Sequence, residues 1–273
     1  MLKDYSECTV KTLKPDNSKI ARAIGTRSKY WQEGRTISVS FMGGTQPQID
    51  LVKQGISQLM GFINLRFIYV VDHGDIRISF VEGGGSWSYL GTDAKYVPKS
   101  SPTMNFGWLH PSTPTDIGTV KHELTHMIGA NHEHQFPNGI TFILEEIKKD
   151  LQHWTDQDII NNIIRQSDPS KVDTTEDLDL NSIMLYAFPA RWNKEGISTK
   201  VNTDWSQEDR KFWSNIYPKK DKYKEALQRV YADKNIVDLL KSTHTAVANI
   251  LGASYEGREQ EVIKNIKHEI SKA

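Results

Sequence analysis

HELTHMIGANH, residues 122–132, contains three histidines, one glutamate and one glycine at a spacing typical of a catalytic metal site. His122 and His126 stand four residues apart, so on a helix they share one face and can both point a ring nitrogen at one ion. Gly129 suits a helix end that needs a left-handed turn, a conformation in which other residues are sterically strained. That reversal of the chain would bring His132 to the same ion.

The chemistry of this residue set is that of a hydrolase. Three histidines with one open coordination position are typical of catalytic zinc, whereas structural zinc closes the fourth position with another protein ligand. Glu123 lies beside His122 on the predicted helix, where it can act as the general base for a zinc-bound water. A bare H-E-x-x-H occurs by chance in many helices, but the extension through Gly129 to His132 fixes two further positions. The sequence therefore predicts one zinc ion per chain.

A second histidine close to His132 could also serve as the third ligand. HEH, residues 132–134, offers a second imidazole, that of His134. Spacing favours His132 as the ligand, and His134 is then a wall of the site or a residue that supports the ligands.

Downstream, SIMLY at Ser182–Tyr186 places a methionine between aliphatic residues, a pattern that usually indicates core packing. About fifty residues after the zinc motif, however, it resembles the methionine turn of the metzincins. The resemblance implies that Met184 lies beneath the imidazoles as an apolar floor. It also implies that Tyr186 stands beside the metal, as an extra ligand or as a hydrogen-bond donor to the oxyanion. The alternative for Tyr186 is an ordinary buried tyrosine.

Several segments narrow the resemblance to the astacins. Glu133 follows the third histidine, as in that family, and SIMLY is similar to the astacin S-x-M-H-Y. GSWSYLG resembles the astacin edge strand, TMNFGW the strand before the active-site helix, and WSQEDRKFWSNIYP the helix that closes the catalytic domain. The likeness runs from about Lys29 to Tyr217. It implies a zinc endopeptidase that binds a protein or peptide substrate extended in a cleft.

The implied fold is α+β: a metzincin, zincin-like catalytic domain of two subdomains, with a mixed five-stranded sheet and an active-site helix, followed by C-terminal helices. The predicted segments are 1–217 for the astacin-like domain, divided into 1–28 (N-terminal segment), 29–131 (upper subdomain) and 132–217 (lower subdomain), and 218–273 for a C-terminal helical extension.

Local patterns agree with that layout. Alternating apolar residues or extended runs predict strands at Arg35–Phe41, Phe67–Val71, Ile76–Phe80, Ser86–Gly91 and Thr103–Trp108. Capping residues and apolar spacing predict helices that begin at Thr45, cover Trp154–Gln166, and run from Ser206 to just before Pro218.

The resemblance also suggests residues that contact substrate. An extended peptide would add to the edge strand near Trp87, Ser88 and Tyr89, where main-chain hydrogen bonds give affinity. Arg191 is a candidate for the wall of the primed-side pocket, where it would favour an acidic side chain. A solvated loop arginine is the alternative.

The chain departs from the astacin pattern at several positions. Leu185 replaces the usual histidine of the methionine turn, which is tolerable because that side chain is not a ligand. Cys8 is the only cysteine, so the two astacin disulfides are missing and the chain resembles the cysteine-poor bacterial members. Astacins use the glutamate after the third histidine to hold a trimmed N-terminus, and that role for Glu133 stays open. Cys8 is either a zinc-blocking thiolate of a latent form or a small buried hydrophobe.

Composition excludes other function classes. Lysine plus arginine and aspartate plus glutamate are balanced at 34 each, so no basic field favours nucleic acid. No apolar run approaches the length of a membrane span, and no secretory signal is evident at the start of the chain. We expect a monomer that is cytoplasmic or is exported by a non-Sec route.

Two other functional hypotheses stand beside the protease. A catalytically silent binding module with this fold would normally have lost Glu123 or a ligand, and this chain keeps all of them. The tail carries glutamates 256, 259, 261 and 269, which resembles the C-terminal signals of bacterial effectors that are translocated into host cells. A solvated amphipathic helix would have the same pattern, and an effector could also act through its C-terminal helices.

Overall fold

The computed structural model describes residues 24–109, 114–137, 139–174 and 178–219. All but Lys219 belong to the first of the two units into which the chain divides, Met1–Pro218. The predicted C-terminal helices, the proposed export signal in them, and Cys8 lie outside the described residues.

Within the described ranges the strands are β1 (Ile24–Thr26), β2 (Thr36–Met42), β3 (Arg66–Tyr69), β4 (Ile76–Ser79), β5 (Trp87–Ser88), β6 (Met104–Asn105) and β7 (Val172–Thr174). The α-helices are α1 (Gln46–Met60), α2 (Pro114–Met127), α3 (Leu144–Asp150), α4 (Asp156–Ile159) and α5 (Gln207–Ile216). None of the described helices is both long enough and apolar enough to cross a bilayer.

The central sheet is mixed and five-stranded, with the order β3-β2-β4-β6-β5. Strands β3, β2, β4 and β6 are parallel, and β5 joins the edge antiparallel to β6. Alternation in β2 buries Ile37 and Val39 completely, which explains why this segment forms a strand. The predicted α+β class with a mixed five-stranded sheet is confirmed, and β5 lies at the predicted edge.

Helix α1 supports the helix that carries the zinc motif. It begins where predicted, because the Gln48 side chain accepts a hydrogen bond from the backbone N–H of Thr45 at 2.9 Å. Its buried face includes Val52, Ile56 and Leu59. At Gly55 an added Cβ would lie 2.7 Å from the Val120 side chain, so the glycine lets α1 and α2 approach closely.

The predicted helix Trp154–Gln166 is shorter and partly irregular. Thr155 caps α4 with Asp158 as predicted, but from Ile160 to Ile164 the chain continues as a π-helix. The helix ends after Ile164, so the carbonyls of its last turn have no partner within it, and those of Asn161 and Asn162 accept hydrogen bonds from side chains of another segment. Local sequence patterns carry no information on such distant partners.

Buried apolar residues form two clusters. One combines the sheet, α1, α2 and α5 with Ile183 and Met184. The other runs from Ile140 to Trp192 and includes Tyr186. The segment Ser182–Tyr186 therefore contributes to both clusters. The predicted boundary between the subdomains at 131–132 stays a prediction.

The sequence analysis missed a small second sheet. Strand β1 pairs antiparallel with β7, with Gly25 opposite Asp173. Arg27 adds an ion pair to Asp173 at 2.7 Å on the surface. Three-residue strands are too short to show a period of two, so only the tertiary pairing reveals them.

Candidate active site

Three histidines converge on one buried point. His122 and His126 lie on α2, one helical turn apart, and His132 follows the turn that ends the helix. One ring nitrogen of each lies within 4.8 Å of those of the other two, and all three residues are buried. The predicted ligand set is therefore brought together, and Glu123, next to His122 on α2, is also fully buried.

Backbone carbonyls orient two of these imidazoles. The Nδ1 of His122 lies 2.8 Å from the Ile183 carbonyl oxygen, and the Nδ1 of His126 lies 2.7 Å from that of Ala130. A carbonyl can only accept, so Nδ1 carries the proton in both rings and Nε2 carries the lone pair that a metal ligand needs. The Nε2 atoms of His126 and His132 lie 3.1 Å apart.

The three imidazoles are held in the neutral form. Burial lowers the pKa of His122 to about 4. Burial also lowers the pKa values of His126 and His132 well below the ordinary value, and the neighbouring histidines lower them further. Neutral imidazole is the form that binds zinc, so the site does not have to release protons before it takes the ion at neutral pH.

The chain reversal between the ligands occurs as predicted. Gly129 has a φ of 115°, in the region that favours glycine. An added Cβ there would also lie 3.0 Å from the Tyr30 ring. Both the conformation and the close approach of Tyr30 require glycine at this position.

His134 is not part of the ligand cluster. Its Nε2 donates to the Asn162 carbonyl in the π turn at 2.9 Å, which directs the ring to that segment. Its ring centroid lies 4.3 Å from that of Tyr186. The geometry therefore favours His132 as the third ligand, and His134 is a wall of the site.

The segment Ser182–Tyr186 is bonded to the histidine region at two points. The Ile183 carbonyl accepts from His122, and the Met184 carbonyl accepts from the backbone N–H of Glu133 at 2.9 Å. The side chain of Met184 is buried in the main core. Its location beneath the imidazoles stays a prediction from the resemblance.

Tyr186 is buried beside the ligands. Its ring centroid lies 4.3 Å from that of His132 and 6.4 Å from that of His122. This proximity agrees with the predicted location of the phenol next to the metal, whereas its chemical role belongs to the proposal below.

Glu133 has a backbone partner. One of its carboxylate oxygens accepts from the Asp179 N–H at 2.9 Å. Burial raises the pKa of Glu133 well above its ordinary value. The bond to Asp179 links the residue after the third ligand to the chain just before the methionine turn.

Asp209, on α5, anchors the start of that turn and was not predicted as a site residue. It accepts from the Ser182 hydroxyl and the Ile183 N–H, each at 2.8 Å, and from the Ser206 N–H at 3.0 Å. Burial raises the pKa of Asp209 to about 6, and Asp179 acts in the same direction against the hydrogen bonds. The sequence signal was available, because Asp209 stands three residues after the predicted cap Ser206.

Replacing Asp209 with asparagine should change how stability depends on pH. The carboxyl keeps its proton up to about pH 6 in the folded protein, against an ordinary pKa of 3.8. Between these values the native state binds more protons than the unfolded state, so the contribution of Asp209 to stability falls as pH rises. Relative to wild type, Asp209→Asn should gain about 3 kcal/mol across this window.

Urea unfolding of the zinc-free proteins, from pH 4 to pH 7, measures this difference. Asp72→Asn is the control, because the Asp72 side chain is 75% exposed. Parallel pH profiles of Asp209→Asn and wild type would contradict the assigned pKa.

The predicted substrate residues occupy different environments. Trp87 and Ser88 are buried in β5, and the Tyr89 N–H donates to the Thr103 carbonyl at 2.9 Å. The guanidinium of Arg191 forms an ion pair with Asp150. The hydrogen bond from Arg191 is the main reason that the pKa of Asp150 is lowered. A substrate carboxylate would therefore compete with Asp150 for Arg191.

The donor set fits zinc. Three neutral imidazoles, two of them oriented through Nδ1 by carbonyl oxygens, match the ligands and supporting hydrogen bonds of catalytic zinc sites. A helix that carries H-E-x-x-H, a glycine turn and a third histidine, together with a mixed sheet that has an antiparallel edge strand, defines a metzincin-like zinc protease.

Comparisons with known proteins identify the family within this class. The family model described as Astacin, a peptidase family, matches residues 23–212. A solved structure of myroilysin is 32% identical, with a TM-score of 0.69 over 72% of this chain and 98% of that chain. A crystal structure of myroilysin is 29% identical, with a TM-score of 0.56 over 77% of this chain and all of that chain. None of the curated proteins compared with the chain matches it.

The chain therefore belongs to the astacin family, and it is a zinc-dependent endopeptidase. The predicted family, enzyme class and cofactor are confirmed. Its match to the family begins a few residues before the predicted Lys29 and ends a few residues before Tyr217.

Proposed function

We propose that this site cleaves peptide bonds with Glu123 as general base and Tyr186 as oxyanion donor. The observation that carries the proposal is the buried cluster of His122, His126 and His132, with the fully buried Glu123 on the same helix. Keeping a carboxylate in such a place costs free energy, which is typical of a functional group.

The three histidines would hold zinc through ring nitrogens. Zinc, when bound, supplies a Lewis acid that lowers the pKa of a coordinated water to about 7. The Glu123 carboxylate accepts the proton of the attacking water and later delivers it to the nitrogen of the leaving amine. Burial of the site excludes bulk water, which strengthens each of these electrostatic interactions.

Tyr186 would stabilise the developing negative charge on the substrate carbonyl oxygen. Its ring packs against those of His132 and His134, with both centroid distances at 4.3 Å. Contact with these two imidazoles restricts the rotation of the phenol, so that its hydroxyl is oriented before the reaction begins. A group preorganised in this way contributes more to the transition state than to substrate binding.

Substrate would bind extended along β5. Among the strands that the structure describes, β5 pairs with β6 and lies at the edge of the sheet, which is where an extended peptide would add as a further strand. Main-chain hydrogen bonds to β5 would give affinity without sequence preference. The pair of Arg191 with Asp150 leaves little net positive charge there, so we propose at most a weak preference for an acidic residue.

Digestion of a peptide library, read by mass spectrometry, tests these roles. The wild-type enzyme should cleave internal bonds, and a zinc chelator should stop it. Tyr186→Phe should keep its zinc and cut the same bonds, with kcat lower by roughly 10²-fold and KM little changed, because one oxyanion donor is lost. Tyr96→Phe is the matched control, since Tyr96 is 73% exposed.

An unchanged kcat in Tyr186→Phe would show that the phenol is only a packing residue. The library also reports the preferred residue after the cut bond. A strong preference for acidic residues there would contradict the proposed neutralisation of Arg191 by Asp150.

A further inference from the structure

The turn between His126 and His132 is held by an array of hydrogen bonds. Four successive carbonyl oxygens, those of Met127–Ala130, each accept a hydrogen bond from a side chain or from another segment. The donors, in the order of the carbonyls, belong to Trp31, Tyr217, Thr26 and His126. Carbonyls at a helix end have no partner within the helix, so these bonds fix where the chain leaves α2.

Tyr217 is the centre of this array. Its hydroxyl donates to the Ile128 carbonyl at 2.7 Å and accepts from the backbone N–H of Trp31 at 3.1 Å. The indole Nε1 of Trp31 in turn donates to the Met127 carbonyl at 2.9 Å. Both side chains are buried. One hydroxyl thus joins the chain just after α5 to the chain before β2 and to the end of α2.

Strand β1 holds the next three residues of the turn. The Thr26 N–H donates to the Gly129 carbonyl at 3.0 Å. The Thr26 hydroxyl accepts from the side-chain amide of Asn131 at 2.8 Å. Gly25 and Ala130 also form an antiparallel bridge. The residue immediately before the third ligand is therefore tied to β1.

The position of this turn affects two zinc ligands at once. The Ala130 carbonyl orients His126 through Nδ1. Asn131 leads directly into His132, whose Nε2 lies 3.1 Å from that of His126. A shift of the turn would rotate one ligand and displace the other.

We propose that Tyr217, together with Trp31, is a positioning residue of the metal centre, whose hydrogen bonds to the turn set the geometry of His126 and His132. This inference rests on the assignment of those histidines as ligands. Burial raises the pKa of the Tyr217 phenol, which keeps its proton available for donation to Ile128. The residue acts through the backbone of the turn and does not need to touch substrate.

Tyr217→Phe tests the proposal, because it removes only the hydroxyl. The remaining ring can keep its stacking on Trp213, at a centroid distance of 6.2 Å. Zinc release to an excess of chelator should be roughly 10–100-fold faster than in wild type, as for other residues that support metal ligands. The cobalt-substituted variant should also show an altered visible absorption spectrum, which reports ligand geometry without requiring activity.

Tyr96→Phe is the matched control. It removes the same group from a side chain that is 73% exposed, and the hydrogen bonds to the carbonyls of Met127–Ala130 come from other residues. It should release zinc at the wild-type rate. A Tyr217→Phe variant that loses stability in the zinc-free form but keeps the wild-type release rate and cobalt spectrum would overturn the proposal.

Trp31→Phe decides the question if Tyr217→Phe does not fold. It keeps an aromatic ring and removes the donor to Met127, so zinc release should again be faster, and a wild-type rate would overturn the proposal.

The ligand assignment is checked separately with His132→Ala. If that variant still binds zinc tightly, the assignment fails, and this failure is distinct from an unchanged release rate in Tyr217→Phe.

Discussion

Glu123→Ala should lower kcat by at least ~10²–10⁴-fold while the protein keeps one zinc ion, because the change removes the general base and no ligand. The three imidazoles of the predicted ligand set are oriented by Ile183, Ala130 and the turn, and none of these contacts involves the Glu123 side chain. KM should change little, since the carboxylate acts on the water and not on the peptide.

The measurement pairs peptide hydrolysis with zinc content from the same preparation. Glu123→Gln keeps the shape of the side chain, so an equal loss of kcat in both variants assigns the effect to proton transfer and not to a cavity. Glu145→Ala, at an exposed position on α3, controls for the loss of a glutamate. Turnover near the wild-type level in Glu123→Ala would refute a water-activating role.

Sequence alone predicted the features that depend on local spacing. Two histidines four residues apart fall on one helix face, and a glycine three residues later allows the left-handed turn, which the structure has at Gly129. The caps at Thr155 and Ser206 were predicted for the same reason, because the cap and its partner lie within one helical turn.

The supports of the site were not predictable from those rules. Tyr217 and Thr26 reach the turn from positions about ninety and one hundred residues away, and their hydrogen bonds exist only once the sheet and helices are packed. A buried tyrosine in the sequence has no pattern that distinguishes packing from hydrogen bonding. The family resemblance predicted the zinc ligands and the methionine turn. The residues that hydrogen-bond to the turn between the ligands could be identified only from the tertiary structure.

The choice of the third ligand depends both on the spacing in the sequence and on the contacts in the structure. Spacing favoured His132 over His134 but left both imidazoles available. The structure separates them, because the π turn after α4 presents the Asn162 carbonyl to His134 and directs that ring away from the ligand role. The predicted helix to Gln166 would have used that carbonyl internally, whereas the observed helix ends after Ile164 and leaves it for His134.

His126→Ala should abolish tight zinc binding and peptidase activity together. His126 lies at the centre of the predicted ligand set, since its Nε2 lies 3.1 Å from that of His132 and its ring centroid lies 4.7 Å from that of His122. It also bonds the Ala130 carbonyl at 2.7 Å, so its removal loosens the turn that carries the third ligand. The variant therefore loses one ligand and part of the placement of another.

Thermal unfolding with and without added zinc measures this loss independently of activity. Zinc should stabilise the wild-type protein by about 4 kcal/mol when its free concentration is roughly 1,000 times Kd. In His126→Ala the shift in Tm should nearly disappear over the same concentrations, and hydrolysis should not be detectable. His134→Ala is the matched control, because it also removes a buried imidazole from the site but keeps all three ligands, so the zinc-dependent shift should persist. A shift that is lost in His134→Ala and kept in His126→Ala would reverse the ligand assignment.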